Sequence, residues 1–382
     1  MVTKKSRKVG RRSLHCVGDD LLCEILIRIP YKSAFACKTV CKRWLLLISD
    51  PYFITRSVAF HHLRRQEQQA EDNQPALSLE FLPLYRIKKG PINVVGSCNG
   101  LFLCIYGFNF HREFGFASAP SRFASFVCNP FTRQWAAIPG PPRVPACMGF
   151  ICDPYYEINE QVCINSGCKF KVVAVPRFNA QTGDTTEFHV DVFSSETGKW
   201  AEVIASSTEK IVRLSWHTRH RVSVCRKKMF WLTWTRILVY DPYNNKVKCL
   251  SGPPPEPDAV LRGSLGVSRD SLWMFQAMGS KIKMWQLEDE KRWSLQGCLD
   301  LKVMSMPDWT WRWSTKIKCV DFGVPDVIWL MDITRISLNF RTNTWKTFAR
   351  EHCNKLFTYA VPIWPTPIPQ LPSHISSSSS KI

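Results

Sequence analysis

Sixteen cysteines are the residues of this sequence with the broadest chemistry available to them. Thiolates hold zinc, or pair with each other, only where spacing brings them together, and no Cys-x-x-Cys pair occurs. Among the nearest approaches are Cys37/Cys41 and Cys163/Cys168, with no histidine pair at finger spacing nearby. The cysteines therefore read as free thiols, most of them small core residues, and neither a metal nor a cofactor is expected. Enzyme motifs fail on spacing: there is no Gly-x-Ser-x-Gly, Gly-x-x-x-x-Gly-Lys-Ser/Thr or His-Glu-x-x-His sequence, and no acidic cluster at metal-ligand spacing. Asp153, Asp241 and Asp321, each beside Pro or Phe, read as turn formers. Catalytic residues are none by motif, and a hydrolase assembled from distant residues around a central channel is the enzymatic alternative.

Binding chemistry has better candidates. Trp309, Trp311 and Trp313 fall on one face at period two, as an inner strand or an aromatic patch for a partner. His217, Arg219 and Arg221 make a basic loop. These six are the candidate target-binding residues. The excess of 51 basic over 31 acidic residues, net +20, suggests nucleic acid, but six of the basic residues (Lys4, Lys5, Arg7, Lys8, Arg11, Arg12) crowd the first twelve positions and the rest are scattered. A basic tail over 1–13, solvated or serving nuclear localisation, accounts for them, so nucleic acid is the alternative and not the leading reading. No apolar stretch reaches the length of a membrane span, and no apolar run follows the basic head as in a secretory signal. The expected setting is the nucleus, the cytoplasm or both.

Two textures position these residues. Leu21, Leu22, Ile25, Leu26 and Ile29 recur as one helical face behind Asp19 and Asp20, and Pro30 stops the helix. Ser33 is placed to cap a short following stretch, and Val40, Cys41, Trp44, Leu47 and Ile48 form a second stripe that Ser49-Asp50-Pro51 ends. Two or three short helices over 14–56 are at the lower limit for burying a core and want a partner surface. This block resembles an F-box, carried by Asp19-Asp20-Leu21-Leu22, Glu24-Ile25-Leu26, Arg28-Ile29-Pro30, Lys32-Ser33, Val40-Cys41-Lys42-Arg43-Trp44 and Ile48-Ser49-Asp50-Pro51. It departs at Val17-Gly18, where the family has Leu-Pro. The resemblance implies binding to a Skp-type adaptor, and through it to cullin and a RING subunit, by Val17, Gly18, Leu21, Leu22, Ile25, Leu26, Ile29, Pro30, Val40, Cys41 and Trp44.

After a polar linker over 57–77 the texture becomes short β-rich runs: Asn93–Val95, Leu101–Tyr106, Ser125–Cys128, Phe170–Val175, His189–Phe193, Ile237–Tyr240, Lys281–Trp285 and Val327–Met331. A polar turn followed by a large apolar residue ends at Trp135, Trp200, Val247, Trp293 and Trp345, at intervals of 65, 47, 46 and 52 residues. That is close to one four-stranded propeller blade of roughly 40–50 residues, and six blades fill 78–366. The sixth would join a strand near Leu79–Tyr85 to one near Leu356–Val361. The repeated tryptophans are expected between blades. The segment, with Ser97-Cys98-Asn99-Gly100-Leu101 and Cys128-Asn129-Pro130-Phe131-Thr132, resembles the kelch-type propellers that follow F-boxes in plant proteins, though no Gly-Gly pair is present. A Ser-rich tail over 367–382 follows. The whole resemblance implies a small all-α F-box module and an all-β propeller. Its implied function is non-catalytic: the substrate-recognition subunit of a ubiquitin ligase, holding an unknown target protein.

Overall fold

Two compact units make up the chain, one from Met1–Asn73 with Tyr156–Ser166 and one from Gln74–Tyr155 with Gly167–Ile382. The computed structural model describes residues 17–67, 78–83, 92–106, 124–158, 162–165, 167–176, 185–211, 222–233, 236–254, 263–268, 270–278, 280–289, 292–303, 327–331, 335–348 and 362–372. The proposed basic tail, the Leu356–Val361 strand and all six candidate target-binding residues (His217, Arg219, Arg221, Trp309, Trp311, Trp313) lie outside them, while the expected C-terminal tail is corrected at its start, since 367–372 are described and Ile368 and Leu371 pack against the core.

The first unit contains α1 (Asp19–Arg28), α2 (Tyr31–Ala36), a 3-10 turn (Cys37–Thr39), α3 (Lys42–Ser49) and α4 (Pro51–Glu67). Two expectations change. Ser33 is inside α2 and Pro30 occupies its N-cap position. Asp50-Pro51 ends α3 but also starts α4: Asp50 Oδ1 accepts from the Tyr52 amide at 2.7 Å and proline takes the first helical position, where its missing N–H costs nothing. The helix then runs through 57–67, the first half of the expected linker, with Ser57 and Val58 buried.

The second unit is a series of antiparallel sheets. The first runs β1 (Ile92–Cys98), β2 (Leu101–Tyr106), β3 (Ala124–Asn129), β4 (Gln134–Ile138) in chain order. β5 (Pro145–Cys152) opens the second sheet, and a hairpin, β6 (Tyr156–Ile158) and β7 (Val162–Ile164), leaves it to group with the helical unit. β8 (Phe170–Pro176), β9 (Thr185–Ser194) and β10 (Lys199–Ile211) complete it. The third is β11 (Ser223–Cys225), β12 (Lys228–Leu232), β13 (Arg236–Asp241), β14 (Lys246–Ser251). The fourth is β15 (Ser264–Ser268), β16 (Ser271–Met278), β17 (Lys281–Leu287), β18 (Trp293–Asp300). Three strands of a fifth follow: β19 (Val327–Met331), β20 (Arg335–Asn339), β21 (Thr344–Phe348). Residues 79–83, expected as a strand, form a turn closed by Leu82 N–H to Leu79 O at 3.1 Å, with Leu82 buried on the outer face of the first sheet.

Strand periodicity explains the stacking. In β8, Val172 and Ala174 face a cluster shared with Leu103, Ile105 and Val127 of the first sheet, whereas Val173 and Val175 face one shared with Trp231, Leu238 and Tyr240 of the third. The third and fourth sheets share Val239, Leu250, Leu272 and Met274, and the fourth and fifth share Phe275, Met284, Ile336 and Leu338. Alternate side chains thus belong to alternate seams. The last described segment returns to the first sheet: Asn129 Nδ2 donates to Thr366 O at 2.7 Å, Thr366 Oγ1 donates to Asn99 O at 2.5 Å, and Ile368 and Leu371 join the first seam.

The repeated turn joins the last two strands of each of these five sheets. Asn129 Oδ1 accepts from the Phe131 and Thr132 amides, Asp241 Oδ1 from Tyr243 and Asn244, and Asn339 Oδ1 from Arg341 and Thr342, all at 2.9–3.2 Å. Four residues after each turn's start the backbone is left-handed, at Arg133, Gly198, Asn245 and Asn343, with φ of 51–65°. The terminal apolar residue then meets the preceding sheet. Trp200 Nε1 donates to Pro139 O at 2.8 Å and Trp293 Nε1 to Ser251 O at 3.0 Å, Val247 lies in the second seam, and Trp345 packs against the fourth. Trp135 is the exception. It is 42% exposed and makes an edge contact to Phe126 of its own sheet, because no sheet of the described chain precedes it.

Trp200→Ala is therefore expected to lower the stability of this unit by about 3 kcal/mol, and Trp135→Ala by no more than about 0.5 kcal/mol, in denaturant unfolding. Equal losses would show that the two indoles occupy equivalent seams. The Asp241 turn has a pH signature. Burial pushes its carboxyl up, but the Asn244 side chain and the Asn244 and Tyr243 amides hold it below the ordinary carboxylate value. Stability from a depressed carboxyl is present above the unfolded-state pKa and lost as pH falls through the folded one. Asp241→Asn keeps the Oδ1 acceptor, as Asn129 and Asn339 do, but loses the Oδ2 acceptor of the Asn244 side chain, so it should flatten the acid limb of a pH–stability curve and lower neutral stability by about 1 kcal/mol. An unchanged acid limb would remove Asp241 from the titration.

Candidate functional site

α1 is apolar on two sides. Leu22 and Leu26, one turn apart, are 1% and 2% exposed and form the interior of the helical unit with Ala34, Ile48, Phe53 and Ile54. Leu21 and Ile25, displaced by one residue, are 58% and 43% exposed. The sequence reading placed all four on one docking face; Leu22 and Leu26 instead point inward, since a helix turns by about 100° per residue and neighbours cannot share a narrow stripe.

The remaining expected docking residues divide by exposure. Val40 and Pro30 are exposed, while Val17, Ile29, Cys41 and Trp44 are half-buried. Ile29 has an internal task, its carbonyl meeting His61 Nε2 at 3.1 Å. Sequence reasoning missed Leu45, Leu46 and Tyr52, all exposed, Leu46 at 73%. The signal was the run Leu45-Leu46-Leu47 on α3: three consecutive leucines cannot all face inward from one helix.

Leu21, Leu46, Leu47, Tyr52 and Phe53 line one groove of about 860 Å³ between α1, α3 and the start of α4, edged by Asp19, Asp20, Glu24, Asp50, Arg43 and Arg56. Ion pairs hold its walls. Arg43 donates from Nε to Asp19 Oδ1 at 2.7 Å and from Nη2 to Val17 O at 2.5 Å, pinning the entry of α1 to α3. Glu24 accepts from Arg28 Nη1 at 2.6 Å and pairs with Arg56 on α4. The Arg28 and Arg56 guanidiniums hold the Glu24 carboxyl below its ordinary value. Burial pushes the Cys23 thiol up, which disfavours its thiolate. Among the described residues no three His, Cys, Asp or Glu side chains gather as a metal site. The groove offers apolar area within a charged rim, which suits a protein surface.

Comparison with known proteins agrees with this arrangement. The family model described as "F-box protein At3g26010-like, beta-propeller" matches residues 44–354, and the F-box domain model matches 14–56. The chain belongs to the F-box protein At3g26010-like β-propeller family: helices of an F-box, then propeller sheets. The F-box protein At5g49610 of Arabidopsis thaliana is 24% identical over 319 residues, 75% of this chain and 79% of its own. The F-box protein At5g07610 of the same plant is 22% identical over 320 residues, covering 75% and 71%. The F-box/WD-40 repeat-containing protein 1, also from Arabidopsis thaliana, is 39% identical over 92 residues, 23% of this chain and 22% of its own.

Gly18 stands where the family motif has proline, and its φ of −60° and ψ of 156° are values proline adopts. A Cβ added there would meet nothing within 4 Å. Gly18→Pro is expected to stabilise the helical unit by about 0.4–1 kcal/mol through the unfolded state. A lowered melting temperature for that unit would show that the Gly18 N–H has a partner proline removes.

Proposed function

We propose that this chain is the substrate-recognition subunit of a Skp–cullin–F-box ubiquitin ligase. The helical unit binds the Skp-type adaptor, and the propeller, of kelch type with six blades, holds a target protein. The observation that carries the reading is the surplus apolar surface of the helical unit: Leu21, Ile25, Val40, Leu45, Leu46 and Tyr52 are exposed on a small module whose core is already filled by other residues. Ubiquitin chemistry belongs to the other subunits, and this chain acts by raising the effective concentration of target lysines near the conjugating enzyme. Family membership supports the adaptor role, and relatives named as kelch-repeat proteins, such as At2g27520 at 37% identity over 93 residues, support the propeller type. Target contacts come from His217, Arg219, Arg221, Trp309, Trp311 and Trp313, and the protein works in the nucleus or cytoplasm.

The test uses the full chain and a Skp-type adaptor. Leu46→Asp is expected to weaken binding by about 30-fold or more, corresponding to about 2 kcal/mol at an interface centre, with the melting curve unchanged. Leu26→Asp, which puts a charge in the core, is expected to unfold the helical unit itself. Wild-type affinity in Leu46→Asp would move the docking surface elsewhere, and no binding by the wild-type chain would overturn the ligase reading.

A further inference from the structure

The first two sheets meet through their opening strands, β1 and β5, at unusually close range. A Cβ on Gly96 would lie 2.9 Å from Phe150 Cβ, so only glycine admits this approach. Two residues further along each strand stand Cys98 and Cys152. Their contacts are reciprocal: Cys98 Sγ donates to Cys152 O at 3.6 Å, and Cys152 Sγ donates to Cys98 O at 3.1 Å. Each sulfur therefore sits against the other residue's backbone, and the two thiols occupy one small space between sheets. The same point carries the return of the chain: Asn99 Nδ2 donates to Cys152 O at 3.1 Å while Asn99 O accepts from Thr366 Oγ1.

We propose that Cys98 and Cys152 are a redox latch, forming a reversible disulfide between the first and second sheets when the chain meets a two-electron thiol oxidant of the hydroperoxide class. Cys98 is partly exposed and Cys152 is buried, so Cys98 reacts first. Its thiolate attacks the peroxide oxygen, the O–O bond breaks, and Cys98 becomes a sulfenic acid as the leaving hydroxide takes up a proton to form water. The Cys152 sulfur then attacks the Cys98 sulfur, the S–O bond breaks, and the departing hydroxide takes the Cys152 proton, giving a second water. Two thiols are oxidised by two electrons and one peroxide is reduced. The asymmetry of the pair matches this order. The facing Cys152 thiol holds Cys98 below its ordinary value, while burial, and then the neighbouring Cys98, push Cys152 up.

A second pair provides an internal control. Cys104 and Cys128 lie 3.7 Å apart, sulfur to sulfur, but within one sheet and with no exposure. Proximity without access leaves them as thiols. Cys168 is the competing partner, buried in the same seam as Cys152.

The experiment treats the folded full chain with hydrogen peroxide, blocks remaining thiols under denaturing conditions and maps linked peptides by mass spectrometry. The expected result is one Cys98–Cys152 linkage, lost in Cys98→Ser and in Cys152→Ser, reversed by dithiothreitol, and accompanied by a raised melting temperature that Cys98→Ser does not show. A Cys152–Cys168 or Cys104–Cys128 linkage as the main product overturns the proposal. So does oxidation of Cys98 to sulfinic acid with Cys152 still free. Both serine variants are compared with wild type by reduced-state melting, and a linkage map from wild type alone decides the outcome if either variant fails to fold.

Discussion

Each central strand of the sheet unit must be covered on both faces, and the rest of that unit depends on this. β2 is buried at all six positions and β8 at every position but Lys171. A two-layer sandwich covers one face of each sheet and leaves the other to water. Here Val172 and Val173, adjacent in sequence, serve different seams. No sheet can be completed alone, so the stabilising unit is the pair of neighbours and the seam between them. The recurring seam bond follows: an indole N–H on the fourth strand is buried only if it finds an acceptor, and the carbonyl near the end of the preceding sheet supplies it for Trp200 and Trp293.

The helical unit meets the opposite condition. Its short helices enclose a core of Leu22, Leu26, Ala34, Ile48, Phe53, Ile54 and Val58, and then have apolar residues to spare. Salt bridges substitute for depth. Arg43 joins α3 to the start of α1, and Glu24 ties α1 to α4 through Arg56. Exposed pairs of this kind contribute little stability each, but they fix the spacing of the groove walls. An apolar partner that covered Leu21 and Leu46 would add burial the module cannot supply for itself.

The sequence made the repeat legible because its signal is local. An Asn, Asp or Ser that opens a turn, and an aromatic or Val six positions later, mark the third and fourth strands of each sheet without any knowledge of what lies across the seam. The eight β-rich runs lie within observed strands, whereas the strand expected near Leu79–Tyr85 is a turn at 79–83. The missed strands lacked such signals: β5 reads Pro-Ala-Cys-Met-Gly-Phe-Ile-Cys, an unbroken apolar run with Pro and Gly in it, and β15 carries a glycine at its centre. At the candidate site, composition revealed an apolar helix but not its direction. Leu22 and Leu26 differ from Leu21 and Ile25 only in phase, and the phase depends on the helices packed against α1, among them α4, whose continuation through 57–67 falls in the expected linker. The Cys98–Cys152 approach was illegible for a further reason: it depends on two strands 54 residues apart meeting at Gly96.

Strand parity also divides the work between the two edges of the sheets. First-to-second and third-to-fourth connections return on one edge, and most are short, as at Asn99-Gly100, Arg226-Lys227 and the capped turns at Asn129, Asp241 and Asn339. Their backbone needs are strict, since all five hold non-glycine residues at positive φ and the capped turns spend a side chain on two amides. Sequence there is committed to folding. Second-to-third and sheet-to-sheet connections depart from the opposite edge, and these include the intervals 107–123, 177–184, 212–222 and 252–263. A chain that has already satisfied its seams and turns is free to vary such intervals at small entropic cost, because loop closure grows only with the logarithm of length. Recognition residues placed there can diverge without disturbing a seam, whereas the tryptophans that the repeat itself requires cannot.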